Sequence, residues 1–401
     1  MFENTEEMFH LVLQHRIFIN AINPKDPEIA VLQNAVVEMI CGQPSWGVKM
    51  PKPWIHLEMV IHKKVEKGFK VIPFKMVEEI NQDNPVKVLS KEEIVLFLQV
   101  QHAQGNIIYF PLPGLRDYIV ISPSYVIDAF KTIVTDKRFC TGMRLKSLKS
   151  MNRDGILEKQ DINTILKSPE FLKHKDFIIC LMCHLDILAE PRVYNPVDHS
   201  LIPSKFYYVP SMVSRAGYPS FLENEDTASV GLSFKFHRTT LPSAIGYRFM
   251  ACCLEMWEVK TIDQEKLFFS GLVVLIINRE LTLRVSVKEQ RIDAFLIHSA
   301  SRHQIIPDLA ASIRECLSDT LDRISDSYKI ASGGNTGAGN NRSFHVEFTC
   351  NHVTSPCYFD GEDNNTCLHT NKPLLESSTV WYVDKVSVTC LKYVTENILR
   401  L

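Results

Sequence analysis

Cys180, Cys183 and His184 form a C-x-x-C-H run, the pattern to which a c-type haem is attached. The run lies inside FIICLMCHLDIL, an apolar stretch of helical character, and no secretion leader in this sequence directs the export that haem attachment requires. Thiols in apolar helices act as small hydrophobes, so packing is the reading the run supports. A second stretch, SMNRDGILEKQDI, places Asn152, Asp154, Gly155 and Asp161 near the ligand positions of a calcium loop. Ser150 would open that loop, and Asp161 is shorter than the Glu that grips calcium with both oxygens. A plain turn before a helix is expected.

The C-terminal part is richer in soft ligands. Cys350, His352, Cys357, Cys367, His369 and Cys390 are enough for a tetrahedral zinc. C-N-H and C-L-H put ligands two residues apart, on one side of an extended strand, yet paired C-x-x-C knuckles are missing. Two readings stay open: a zinc-stabilised protein-binding tail, or a short β-rich extension with free thiols in which Trp381, Val383, Lys385 and Ser387 alternate.

Motifs with a catalytic mechanism are missing. G-x-x-x-x-G-K-[ST], G-x-S-x-G and H-E-x-x-H do not occur. SGGNTGAGNN, Ser332 to Asn341, is glycine-rich without the Lys-Ser/Thr pair of a phosphate loop and reads as a flexible linker. HLE and HVE carry the deaminase His-x-Glu, but Pro356-Cys357 is followed by Asp360 where a second Cys belongs. No catalytic residue, cofactor or enzyme activity is therefore assigned to the chain.

These residues sit in a chain of ordinary globular composition. Of 401 residues 45% are hydrophobic and 22% charged, with a formal net charge of −2. That balance favours neither nucleic acid nor an acidic membrane surface. The longest apolar run, Leu267 to Ile277, is shorter than the about 20 residues of a membrane span. The acidic start and eleven cysteines, an odd count, indicate reduced thiols and a cytoplasmic protein.

The periodicities give an α+β chain. Trp54, Leu57, Ile61 and Val65 repeat at helical spacing, with Pro53 in the first turn and Gly68 past the end. Ser90 and Glu93 make a capping box for a helix that Gly105 closes. Asn106 to Phe110 and Tyr118 to Ile121 read as strands around a turn at Pro111 to Gly114. Ser122 and Pro123 then start a helix whose Val126, Ala129, Phe130 and Ile133 face inward. The order is winged-helix-like. Its recognition helix would carry one basic side chain, Lys131, beside Asp128, so no nucleic-acid partner is expected.

Residues 151 to 190 read as helical up to Pro191. Beyond them Leu281, Leu283, Val285 and Val287 alternate with Thr282, Arg284, Ser286 and Lys288, which predicts an antiparallel sheet with one wet face. PSAIGYRFMACCLEMW is a helix with Ile245, Phe249, Cys253 and Trp257 on one side, and IPDLAASIRECLSDTLDRI is amphipathic.

Six motifs taken in order, WGVKMPKPWIHLE, FLQVQHAQGNIIYF, LRDYIVISPSYVIDAF, DGILEKQDI, FIICLMCHLDILAEP and YYVPSMV, resemble the COR domain that follows the Roc GTPase domain in Roco proteins. The resemblance covers about residues 30 to 330. It implies a two-lobed module: a winged-helix-like α/β first lobe that packs on the GTPase, and a sheet-and-helix second lobe that forms homodimers. The division expected is 1–33 as a lead-in like the exit of a Roc domain (HRIFINAINPKDPEIAVL), 34–194 and 195–330 as the lobes, 331–345 as linker, and 346–401 as a small β tail. On this resemblance the partners are a second copy and a Roc-type GTPase in cis or trans, met through Ile119 in the first lobe and Tyr247 and Trp257 in the second. Phe249 is assigned to the second lobe's own core.

Overall fold

The computed structural model describes residues 17–42, 46–47, 49–135, 151, 153–194, 201–215, 229–237, 241–263, 265–331, 342–350, 356–359, 368 and 379–381. These gather into two compact units. One holds the residues up to Phe69 together with Lys75–Val100, and the other holds Lys70–Phe74 and the chain from Gln101 onward.

In the first unit, α1 (Pro27–Cys41) starts where Asp26 accepts a hydrogen bond from the Glu28 N–H and Pro27 presets the first turn. α2 (Lys52–Glu66) buries Trp54, Leu57 and Ile61, the stripe expected from their spacing. It ends in a Schellman motif. Gly68, at φ 86°, donates to Val65 O, and the Phe69 N–H reaches back to Lys64 O. α3 (Phe74–Gln82) follows, and then α4 (Lys91–Ala103), whose capping box forms as read: Ser90 N–H donates to Glu93 Oε2 at 2.8 Å and Glu93 N–H to Ser90 Oγ at 3.3 Å. Phe97 meets Trp54 edge-on, with centroids 5.7 Å apart. Between α3 and α4, the buried Asn81 clasps Leu89 through both its N–H and its carbonyl, at 2.9 Å each.

The second unit begins with β1 (Val71–Pro73) paired antiparallel to β2 (Tyr118–Val120), Ile72 opposite Ile119. Asn106 to Phe110, expected to be a strand, contributes only a bridge from Ile108 to Val120. One edge of β2 is already taken by β1, a three-residue strand ended by Pro73 and too short to leave a periodic signal. α5 (Pro123–Ile133) buries Tyr125, Val126, Ala129 and Ile133.

The stretch read as helical from 151 to 190 is interrupted. β3 (Ile156–Glu158) precedes a single 3-10 turn that contains Asp161, and then α6 (Ile162–Ile165), α7 (Pro169–Lys173) and α8 (Lys175–His184). Gly155, at φ 66°, is the cause. A Cβ there would lie 2.5 Å from Val213 Cγ2 and 3.0 Å from Phe268 Cε1. β4 (Arg192–Tyr194) pairs with β5 (Leu201–Pro203), and β6 (Phe206–Tyr208) with β3.

The remainder is a sheet carrying helices on one face. Its strands are β7 (Ser229–Phe236), then, after α9 (Ser243–Met256), β8 (Glu258–Val259), β11 (Phe268–Phe269), β12 (Leu272–Ile276), β13 (Leu281–Val287), β14 (Arg291–His298), β15 (Phe344–Thr349) and β16 (Tyr358–Phe359). β9 (Thr261–Ile262) and β10 (Glu265–Lys266) form a separate hairpin. The eight strands run β11-β12-β13-β14-β7-β15-β16 with β8 beside β12, antiparallel throughout. Leu283 and Val285, Ala294 and Leu296, and Leu232 and Phe234 line the face under α9 and α10 (Pro307–Ala331), whose Phe249, Cys253, Leu317 and Leu321 complete the core.

Two features depart from the sequence reading. β15, in the stretch read as a tail, pairs with β7 and so belongs to the main sheet, Phe348 opposite Leu232. Trp381 is buried in the same core. The second face, expected to be wet, buries Arg284, Asp293 and Ser233 beside Phe295 and Ile297. Polar pairing makes that burial tolerable. Asp293 accepts from Ser233 Oγ at 2.7 Å, Tyr358 OH at 3.0 Å and Lys288 Nζ at 2.7 Å. The glycine-rich linker at 332–341 lies outside the described residues.

Candidate interaction surfaces

α1 buries one side chain, Ala35. Val31, Val36, Val37 and Ile40 stand exposed, Val37 at 58%. Ile55 and Met59 on α2, in the same unit, are about equally open, at 50% and 55%. A chain of this size commonly leaves single apolar residues on its surface, but a helix whose apolar side chains face outward on most sides is a docking feature. The signal was present in AVLQNAVVEMIC, where apolar residues recur without a polar face.

Of the residues singled out for partners, Ile119 has no exposed surface. It is the centre of β2, paired with Ile72 of β1, and a partner could touch only the elements around it. Tyr247 and Trp257 are half-buried on and just beyond α9. Trp257 packs partly on the sheet core, and Phe249 is wholly inside it. Both Tyr247 and Trp257 keep a surface that a partner can cover.

A polar junction within the second unit went unread in the sequence. Asp186, buried and held at φ 54°, ends α8. Its Oδ2 accepts from Arg248 Nε and Nη2 on α9 at 3.1 and 2.9 Å, with Arg323 Nη1 of α10 at 3.5 Å. Cys252 Sγ donates to Oδ1 at 3.4 Å and accepts from Arg323 Nη2 at 2.9 Å. Burial, aided by the Asp186 charge, pushes the Cys252 thiol up to about 12, so it stays protonated and donates. Nothing local in the sequence marks these residues, because their partners come from three separate helices.

The cysteines of the C-x-x-C-H run take part in packing. Cys180 and Cys183 are half-buried on α8, and burial pushes the Cys183 thiol up to about 12. The His184 ring meets Phe110 edge-on, with centroids 4.4 Å apart, and partial desolvation there holds its basicity below the usual range, although the residue keeps an exposed surface. Asp154 and Asp161 lie on different elements, and Ser150 and Asn152 are outside the described residues. In the tail, Cys350 and Cys357 face each other across β15 and β16, while His352, Cys367, His369 and Cys390 are outside the described residues. Among the described residues no group of three or more His, Cys, Asp or Glu could hold a metal ion. Nor is any helix among them long and apolar enough to cross a membrane.

Residues 51–206 match the family model described as C-terminal of Roc, COR-A domain. Residues 51–206 are a COR-A domain. A relative from Dictyostelium discoideum, named as a probable serine/threonine-protein kinase roco6, is 26% identical over 187 residues. That match covers 44% of this chain and 7% of the relative, so the chain spans a small part of that protein's length. The structure of Methanosarcina barkeri Roco2 RocCORdC bound to GDP aligns at 15% identity with a TM-score of 0.34, over 47% of this chain and 52% of that one. The COR-A match takes in α2 through β5 and ends at the first residue of β6, and hence includes the outward Ile55 and Met59 together with Asp186.

Proposed function

We propose that this chain is a cytoplasmic, non-catalytic interaction module that couples a Roc-type GTPase domain to a homodimer of the COR sheet. The outward apolar surface of α1, just ahead of the COR-A match, carries the reading. A Roc domain precedes a COR domain in the family order, so its exit would run into this helix. Covering Val31, Val37 and Ile40 would remove from water side chains that the described residues leave open. Tyr247 and Trp257 are the anchors for self-association, over an interface of roughly 1,200 to 2,000 Å². Coupling then follows from differential contact: whichever nucleotide state of the GTPase docks better on α1 is favoured in proportion to that difference.

The test is binding of an isolated Roc domain, loaded with GDP or with a GTP analogue, to the chain and to its Val37→Asp/Ile40→Asp variant. The variant is expected to melt like the parent and to lose binding. Equal binding by both would remove α1 from the interface, and equal affinity in the two nucleotide states would remove the coupling. Light scattering of Trp257→Asp addresses the dimer, for which a folded monomer is expected.

A further inference from the structure

Cys350 and Cys357 occupy opposite places where β15 and β16 part. They directly follow the last paired residues of the two strands, Thr349 opposite Tyr358. Cys350 N–H donates to Cys357 O at 3.0 Å, and the return bond from the Cys357 N–H ends on Cys350 Sγ at 3.1 Å. Opposed residues of an antiparallel pair have Cα atoms about 4.5 to 5.5 Å apart, within the roughly 4.4 to 6.8 Å that a disulfide spans. The Cys357 N–H contact also brings Cys350 Sγ to the backbone of Cys357. Access is unequal: Cys350 is buried in the sheet core, whereas Cys357 keeps part of its surface open.

We propose that Cys350 and Cys357 form a reversible intramolecular disulfide by exchange with a low-molecular-weight disulfide such as oxidised glutathione. The Cys357 thiolate attacks one sulfur of that disulfide, forms a mixed disulfide and releases one glutathione thiolate. The Cys350 thiolate then attacks the Cys357 sulfur, the mixed bond breaks, and a second glutathione leaves. Both protein protons pass through solvent to the departing thiolates, so two protein thiols are oxidised and one glutathione disulfide is reduced to two glutathiones. The entry cysteine keeps part of its surface open, and exposure is the character of labile disulfides that respond to cellular redox poise. The bond would clamp β16, the last strand on this side of the sheet, to β15.

The full chain is equilibrated at pH 8 in buffers of increasing oxidised glutathione, quenched with iodoacetamide, digested and read by mass spectrometry, with zinc content measured on the same preparation. Loss of alkylation at both cysteines together, with a 350–357 linked peptide, is expected. Cys350→Ser should instead hold glutathione on Cys357. Alkylation of both cysteines across the whole series would overturn the proposal. So would linkage of either one to a different cysteine, or near-stoichiometric zinc whose removal alone exposes the two thiols.

Discussion

Arg248 lays both Nε and Nη2 against one oxygen of Asp186, at 3.1 and 2.9 Å, joining the end of α8 to the middle of α9. The contact is two-pronged, largely screened from water, and made by a residue in the left-handed region that only small polar side chains and glycine visit readily.

Asp186→Ala should therefore destabilise the chain by about 3 kcal/mol, since it strands Arg248 and Cys252 and leaves a Cβ-bearing residue in a costly conformation without its local compensation. Asp186→Asn keeps the backbone preference and one acceptor oxygen, so roughly half that loss is expected. Urea unfolding of both variants measures it. Equal losses would mean that charge contributes nothing at this junction.

Gly155→Ala meets two obstacles at once, a left-handed backbone and the Val213 methyl 2.5 Å away. A loss of about 2 to 3 kcal/mol is expected, with β3 and β6 the first elements to lose hydrogen-exchange protection. Gly68→Ala is the control. It shares the positive φ but has nothing within 4 Å, and should cost about 1 kcal/mol.

Glu347 predicts how stability follows pH. Burial opposes its ionisation, but hydrogen bonds from Lys235 at 2.9 Å and from His345, with the Arg291 charge, prevail and hold its carboxyl below the usual carboxylate range. A carboxyl whose folded value is depressed stabilises the fold at any pH above its unfolded value, near 4.5, and loses that contribution as pH falls through the folded one. Melting temperatures from pH 7 to pH 3 should fall more steeply for the parent than for Glu347→Gln. Parallel curves would show that Lys235 and Arg291 pair with solvent instead.

Phe249→Ala and Trp257→Ala separate core from surface on and just beyond α9. Phe249 has no exposed surface and meets Phe234 edge-on at 6.5 Å, so about 3 to 5 kcal/mol should be lost. Trp257, half-buried, should cost less than half as much by thermal unfolding while changing self-association. The opposite ranking would place Trp257 in the core.

What could be read from sequence was what depends on near neighbours. Spacing of Trp54, Leu57 and Ile61 gave α2, Ser90 with Glu93 gave the start of α4, and the alternation at Leu281 to Val287 gave β13. Relations between distant segments were not legible. β1 is three residues long and has meaning only beside β2, and Gly155 looks ordinary until Val213 and Phe268 stand next to it. The buried second face escaped notice because Arg284 and Ser286 are polar wherever they point, and period two cannot tell a solvated polar face from one closed by an ion-paired network. For the interaction surfaces, α1 was visible as an apolar stretch, whereas the Asp186 junction joins residues some 62 and 137 positions apart in the chain.

The place of β15 between β7 and β16 also bears on how the protein is made. β7 is complete more than a hundred residues before its second neighbour leaves the ribosome, and until then its outer row of amides and carbonyls is a bare template for any extended segment nearby. A stop codon or proteolytic cut ahead of residue 344 would make that vacancy permanent, and the sticky product would be a substrate for chaperones or an aggregate.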